Sequence, residues 1–145
     1  MKQRRPGRPP ATKASQKPNK FNAQPTTLDG VLFDSGAEAR RYSELRLLEH
    51  AGEITDLELQ PVYELQPTLK IKKVVVTPTG RKRTRTRTVR PITYRADFRY
   101  TDAATGEVVV EDVKGVQTEV FRIKAKMMLA VHGIEVKLVK MERER

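Results

Sequence analysis

The sequence predicts a mixed α/β domain in which helices flank a sheet. Three observations predict it. A helix-like stretch with a capping signal, Ser35 and Glu38, precedes a series of strand-like segments. Two β-prone runs, Tyr94–Tyr100 and Val108–Gly115, are separated by the short polar stretch Thr101–Gly106, the pattern of an antiparallel hairpin. A second helix-like stretch stops at Gly133 and is followed by the alternating run Ile134–Val139.

With 145 residues, 37% of them hydrophobic, the chain suits one domain with one modest core, plus tails. It has no cysteine, which excludes disulfides and thiolate metal sites and fits a reducing compartment, while carboxylate chemistry with hard metals stays open. No apolar run approaches the ~18 residues of a membrane span, and the basic start lacks the apolar core of a signal peptide. The expected location is the cytoplasm, with no membrane partner. The net charge of +11 is unevenly placed: seven Lys and Arg fall in residues 1–24 without an acid, and nine more lie between Lys70 and Arg90. Those sixteen charges leave the remainder at −5. A mildly acidic body with two basic appendages implies a polyanionic partner, and nucleic acid suits it better than a membrane because neither basic segment is an amphipathic helix.

Taken in order, residues 1–24 are rich in Pro, Lys, Arg and Ser with little to bury, so a disordered tail is expected, followed by a folded domain over residues 25–145. Within the tail, Arg5-Pro6-Gly7-Arg8-Pro9-Pro10 resembles the core of an AT-hook, which lays arginine into the minor groove; the plainer reading is a basic tail attracted to phosphates. The first helix is expected from Asp34-Ser35 to about Ala51, with Tyr42, Leu45 and Leu48 toward the sheet and Arg40, Arg41, Glu44, Arg46 and Glu49 in water. Glu38 begins the inward stripe, so it either closes the capping box or reaches a metal, and the pattern does not choose. A strand is expected over Ile54–Leu65, with Pro61 marking an irregularity. Residues 68–91 form a basic insert: Lys70–Val76, a turn at Thr77–Gly80 and Thr84–Val89 read as a two-stranded ribbon able to follow a groove, with Arg85 and Arg87 on one face and Arg81, Lys82 and Arg83 near the turn. The last helix is expected over Glu119–His132 with Thr118 as N-cap, Val120, Phe121, Ile123, Met127, Met128 and Val131 in the core, and Arg122, Lys124 and Lys126 divided between DNA backbone contact and solvation.

The central hairpin holds the candidate chemistry. A turn centred between Ala103 and Ala104 sets Asp97 opposite Val110, with Asp112 its diagonal neighbour on one face, roughly 7–8 Å away, close enough for one metal ion to bridge them. Strand period two also sets Lys114 on the face of Asp112. Val108-Val109-Val110 and Val113 read as a strand buried on both faces, where charges need a partner, a metal or water. Glu111, on the opposite face, reads as structural.

Glu38, Asp97 and Asp112-Val113-Lys114, set on an αβββαβ order, resemble the PD-(D/E)XK nuclease superfamily, with its restriction-endonuclease-like core. The stretches Phe33–Tyr42, Leu57–Pro61, Tyr94–Phe98 and Val110–Gly115 are similar to the phage-encoded family known as domain of unknown function 1064, and the likeness spans about Phe21 to Val139. The hairpin and following helix are similar to phage endonuclease I Holliday-junction resolvases. One departure is Ala96, where the superfamily often has proline. The resemblance implies a phage-type endonuclease cutting double-stranded DNA, branched DNA included, as a homodimer. It implies that Asp97, Asp112 and the Val113 carbonyl hold Mg²⁺ or Mn²⁺, with Glu38 a ligand directly or through water. It further implies that Lys114 orients or helps deprotonate the attacking water. The rival expectation is a nucleic-acid-binding protein that keeps the fold and does not cut.

Overall fold

The computed structural model describes residues 24–141. The tail, with Arg5, Arg8 and the AT-hook-like motif, lies outside the described residues apart from Gln24. Two helices and ten strands make a mixed α/β fold among the described residues, and the strands form several short ladders.

The described residues begin with a hairpin absent from the sequence reading. Strands β1 (Thr26–Leu28) and β2 (Val31–Phe33) pair antiparallel across Asp29 and Gly30, at φ 50° and 76°. An Asp-Gly pair with both residues at positive φ is the tight turn whose twist matches paired strands. Helix α1 (Gly36–His50) follows, capped by the Ser35 hydroxyl, which accepts the Glu38 N–H at 3.2 Å. Its buried residues Ala39, Tyr42 and Leu45 keep the expected helical spacing.

Where one strand was expected over Ile54–Leu65, there are two, β3 (Ile54–Leu59) and β4 (Val62–Gln66). Gln60 sits at φ 51° and Pro61 brings no N–H to a ladder, so the strand breaks there and changes partner. Strands β5 (Leu69–Val76) and β6 (Lys82–Val89) form the expected ribbon. Strands β7 (Ile92–Arg95), β8 (Phe98–Asp102) and β9 (Val108–Val113) lead into α2 (Glu119–His132), capped by Thr118 and closed by Gly133 at φ 68°. The last strand, β10 (Lys137–Val139), is shorter than the expected Ile134–Val139.

One four-stranded sheet has the order β10-β9-β8-β3, with β10 parallel to β9 and the other pairs antiparallel. Strand β4 pairs β7, and β5 pairs β6. The pairs Leu59↔Phe98, Val62↔Arg95 and Leu69↔Val89 show that β3, β4 and β5 run out and β6, β7 and β8 run back as one long interrupted hairpin. The basic ribbon is the far end of the strand run that carries Asp97.

Helix α1 packs on one side, in a core of Phe33, Tyr42, Leu45, Phe98, Tyr100 and Val113. Helix α2 closes a second core of Leu65, Tyr94, Ala96, Val110, Phe121 and Met128. Strand β9 lies between them, and its alternation sends Val110 to one core and Val113 to the other. Of the residues expected in the α2 core, Val120 and Ile123 are instead 61% and 59% exposed, and Val131 is exposed as well. The side of the helix that packs is the one with Phe121, Ala125 and Met128.

Candidate active site

The hairpin that carries the candidate residues differs in register from the sequence expectation. Arg99, rather than Asp97, stands opposite Val110. Strand β8 runs on to Asp102, so the turn is centred later than expected, and Asp102 closes the loop: its Oδ1 accepts the N–H groups of Ala104 and Thr105 at 2.8 and 3.1 Å, and Gly106 supplies φ 74°. Asp97 then leaves the ladder. It sits in the break between β7, which ends at Arg95, and β8, which begins at Phe98, and donates its N–H to the Glu111 carbonyl at 3.1 Å. Here the Asp97 carboxylate turns to β9, where its Oδ2 accepts the Val113 N–H at 2.7 Å.

Asp112, next to Val113 on β9, is 2% exposed. Its Oδ2 accepts the Tyr94 hydroxyl at 2.6 Å. Its Oδ1 lies 3.0 Å from the Lys114 ammonium, outside hydrogen-bond geometry, and is left without a hydrogen bond. A buried carboxylate oxygen in that state is an acceptor that a cation can take up. Lys114 is half-buried, with its ammonium 5.0 Å from the centre of the Phe121 ring, where the aromatic face holds the cation over the start of α2.

Burial, and then the negative charge of Asp112, push the Asp97 carboxyl up to about 7; the Val113 N–H and Lys114 act against this. Glu38, 9% exposed at the start of α1, is likewise raised, first by burial, with Asp34 and Asp112 adding repulsion. Its oxygens are engaged at the cap: Oε1 accepts the Ser35 hydroxyl at 3.1 Å and Oε2 the Asp34 N–H at 3.2 Å. Glu38 is engaged at the cap, through the Asp34 N–H rather than the Ser35 N–H of a capping box, while its negative charge adds to the rise of Asp97. Among the described residues no group of three or more His, Cys, Asp or Glu side chains is gathered closely enough to hold a metal ion by itself. Asp97, Asp112, Val113 and Lys114 come together, and Glu38 stands beside them.

Two residues that sequence reasoning missed or misplaced support this end of the sheet. Tyr94 orients Asp112, and burial, then the hydrogen bond to Asp112, holds its phenol proton firmly in place. Its signal was the inward parity of a strand leading to Asp97. Arg41, expected in water, instead forms a two-pronged pair with the fully buried Glu111, Nε–Oε2 2.9 Å and Nη2–Oε1 2.8 Å. The Tyr100 hydroxyl adds a bond of 2.6 Å to Glu111. Burial disfavours the charged form of Glu111, and the bonds from Arg41 and Tyr100 overcome it, holding the carboxyl below its ordinary range. Glu111 is structural, as expected, and ties the central strand to α1.

The cationic candidates are dispersed. Arg122 and Lys126 are exposed on α2 and Lys124 is half-buried beside them. Arg81, Lys82, Arg83, Arg85 and Arg87 are all exposed, at the turn and along β6 of the ribbon. No helix of the described residues is long and apolar enough to cross a membrane.

A search of the curated proteins finds no match to the chain, and a search of the solved structures finds none. One family matches over residues 18–143, that described as "Protein of unknown function (DUF1064)", and its match takes in every element and every candidate residue of the site. The chain therefore belongs to the DUF1064 family.

Proposed function

We propose that this member of the DUF1064 family is a phage-type, metal-dependent DNA endonuclease that hydrolyses phosphodiester bonds, with branched DNA of the Holliday-junction kind among its substrates. The observation that carries the reading is Asp112, a buried carboxylate with an oxygen that makes no hydrogen bond, set beside Lys114 and near enough to Asp97 to add to the rise that burial gives that carboxyl. Carboxylates crowded at such cost mark functional sites more often than structural ones. The chain order α1, β3, β8, β9, α2, β10 around the four-stranded sheet supports an αβββαβ core of the PD-(D/E)XK kind.

The donor set fits a hard divalent ion. Asp97, Asp112 and the Val113 carbonyl would hold Mg²⁺ or Mn²⁺, with Glu38 joining directly or through water on release from its cap. When bound, the metal would act as Lewis acid and template for a phosphodiester. Lys114 would orient the attacking water and offset charge developing on the phosphate. Tyr94 would keep Asp112 aimed by occupying one of its oxygens. The ribbon and the exposed cations of α2 would hold the DNA backbone.

A second reading, a nucleic-acid-binding protein that does not cut, is favoured by one observation, the lack of a ready three-ligand cluster among the described residues. The experiment that separates them incubates the protein with labelled four-way junction, flap and linear duplex, in Mg²⁺ or in chelator, beside Asp112→Asn. Cleavage that needs metal and Asp112, with DNA binding retained by the variant, supports the nuclease. Binding without cleavage on all three substrates selects the second reading. Sedimentation of the same samples tests the homodimer.

A further inference from the structure

The two faces of the ribbon are chemically different. Cross-strand pairing sets Arg87 against Ile71, Arg85 against Lys73 and Arg83 against Val75 on one face. The other face pairs Lys70 and Lys72 with Thr88 and Thr86, and Lys82 with Val76. On β6, then, arginine alternates with threonine so that three guanidiniums share one side. A concavity of about 370 Å³ borders that side, lined by Ile71, Lys73, Val75, Arg85, Thr86 and Arg87. None of the three arginines is in an ion pair with a carboxylate among the described residues. Apart from its own two strands, the ribbon makes no substantial packing with any described element.

Attraction to phosphate alone would be served by lysine on either face. Segregated arginine offers something more, since its planar fork matches the paired acceptors of guanine in the major groove. Resting on the reading of the ribbon as a DNA-holding arm, we propose that it lies in the major groove of duplex DNA with Arg83, Arg85 and Arg87 turned to the base edges, and reads guanine. A two-stranded ribbon fits a major groove about 12 Å wide. Residues two apart on a strand are separated by ~6.8 Å, which is two base-pair rises of ~3.4 Å. The three arginines therefore address alternate base pairs across about five, and Ile71 and Val75 sit where thymine methyl groups project. The deep, narrow major groove of A-form RNA would not admit this face.

The test selects tight-binding duplexes from a random-sequence pool, using the full chain in chelator so that cleavage plays no part. The expected winners carry guanines two base pairs apart. Replacing one of them with 7-deazaguanine, which loses the N7 acceptor, should weaken binding about tenfold or more. Arg85→Lys keeps the charge, so it should abolish the preference at one position and leave the salt dependence unchanged. No preferred sequence, equal binding to 7-deaza sites, tighter binding to RNA duplex, or an Arg85→Lys variant that selects the same sites would each overturn the proposal. Those outcomes leave the nuclease reading standing, because it is judged by cleavage in Mg²⁺; an uncut junction with an intact guanine preference would do the reverse.

Discussion

Replacing Asp97 with asparagine should stabilise the metal-free protein at pH 8, and less so at pH 5. Asp97 is raised from 3.8 to about 7, by burial first and by Asp112 second. A carboxyl raised in the folded state contributes stability that is complete below its unfolded value, near 4, and is lost as pH climbs to about 7, because the unfolded chain releases the proton earlier. At 1.36 kcal/mol per pKa unit, ionising Asp97 in the fold costs roughly 4 kcal/mol. Asparagine removes that cost and can still accept the Val113 N–H. Its own carboxamide is desolvated too, so about half the gain, ~2 kcal/mol, should survive. For a domain of this size that is a rise in Tm of about 8 °C. The assay is thermal unfolding of both proteins in chelator at pH 5 and pH 8. A variant no more stable than the parent at pH 8, or one whose advantage is the same at both pH values, would refute the idea that Asp97 is held in an unfavourable charged state for a purpose. Adding Mg²⁺ at pH 8 should then raise the Tm of the parent and not of the variant.

Three further outcomes are expected. Glu38→Gln should cost under about 1 kcal/mol, since one cap oxygen remains. If Glu38 also serves the metal, single-turnover cleavage should nevertheless slow at least about tenfold, and an unaltered rate would return Glu38 to the cap alone. Arg41→Ala strands the fully buried Glu111, and denaturant unfolding should show a loss of about 3–5 kcal/mol; a loss under about 1 kcal/mol would mean that Tyr100 and Lys137 suffice for Glu111. Changing Arg81 and Lys82, at the turn of the ribbon and off its arginine face, together to Gln should flatten the log–log salt dependence of DNA binding by about 0.9 per lost phosphate contact, while cleavage at saturating DNA continues. Loss of the chemical step at saturation would place the ribbon inside the active site.

The helices were legible in the sequence because their ends carry local chemistry. Ser35 and Thr118 begin them, and Gly133 ends the second in a left-handed turn that only neighbouring residues need to satisfy. The ribbon was legible for the same reason, since Thr-Arg alternation and the Thr77–Gly80 turn act within one hairpin. The β1–β2 hairpin was equally local, and its Asp29-Gly30 signal was overlooked. What the sequence left open was partnership over distance. Arg41 looks like any solvated residue of a helix until β9 brings Glu111 beneath it, and Val120 and Ile123 look like core until the helix packs through Phe121 and Met128 and leaves them exposed.

The candidate site divides along the same line. Sequence alone determined its membership: two aspartates and a lysine on adjoining strand-like runs, a glutamate at a helix start, and a basic ribbon between, because residue type and strand parity are set by covalent order. Tertiary structure decided its geometry. The Asp102-closed loop shifts the hairpin register, the break between β7 and β8 sets the Asp97 carboxylate on the Val113 N–H, and Tyr94 takes one oxygen of Asp112 while the other is left to Lys114. Register, burial and hydrogen-bond partnership are relations between segments far apart in the chain, settled only when the competing ladders and cores are satisfied together, and it is those relations that crowd Asp97 against Asp112 and raise it to about 7.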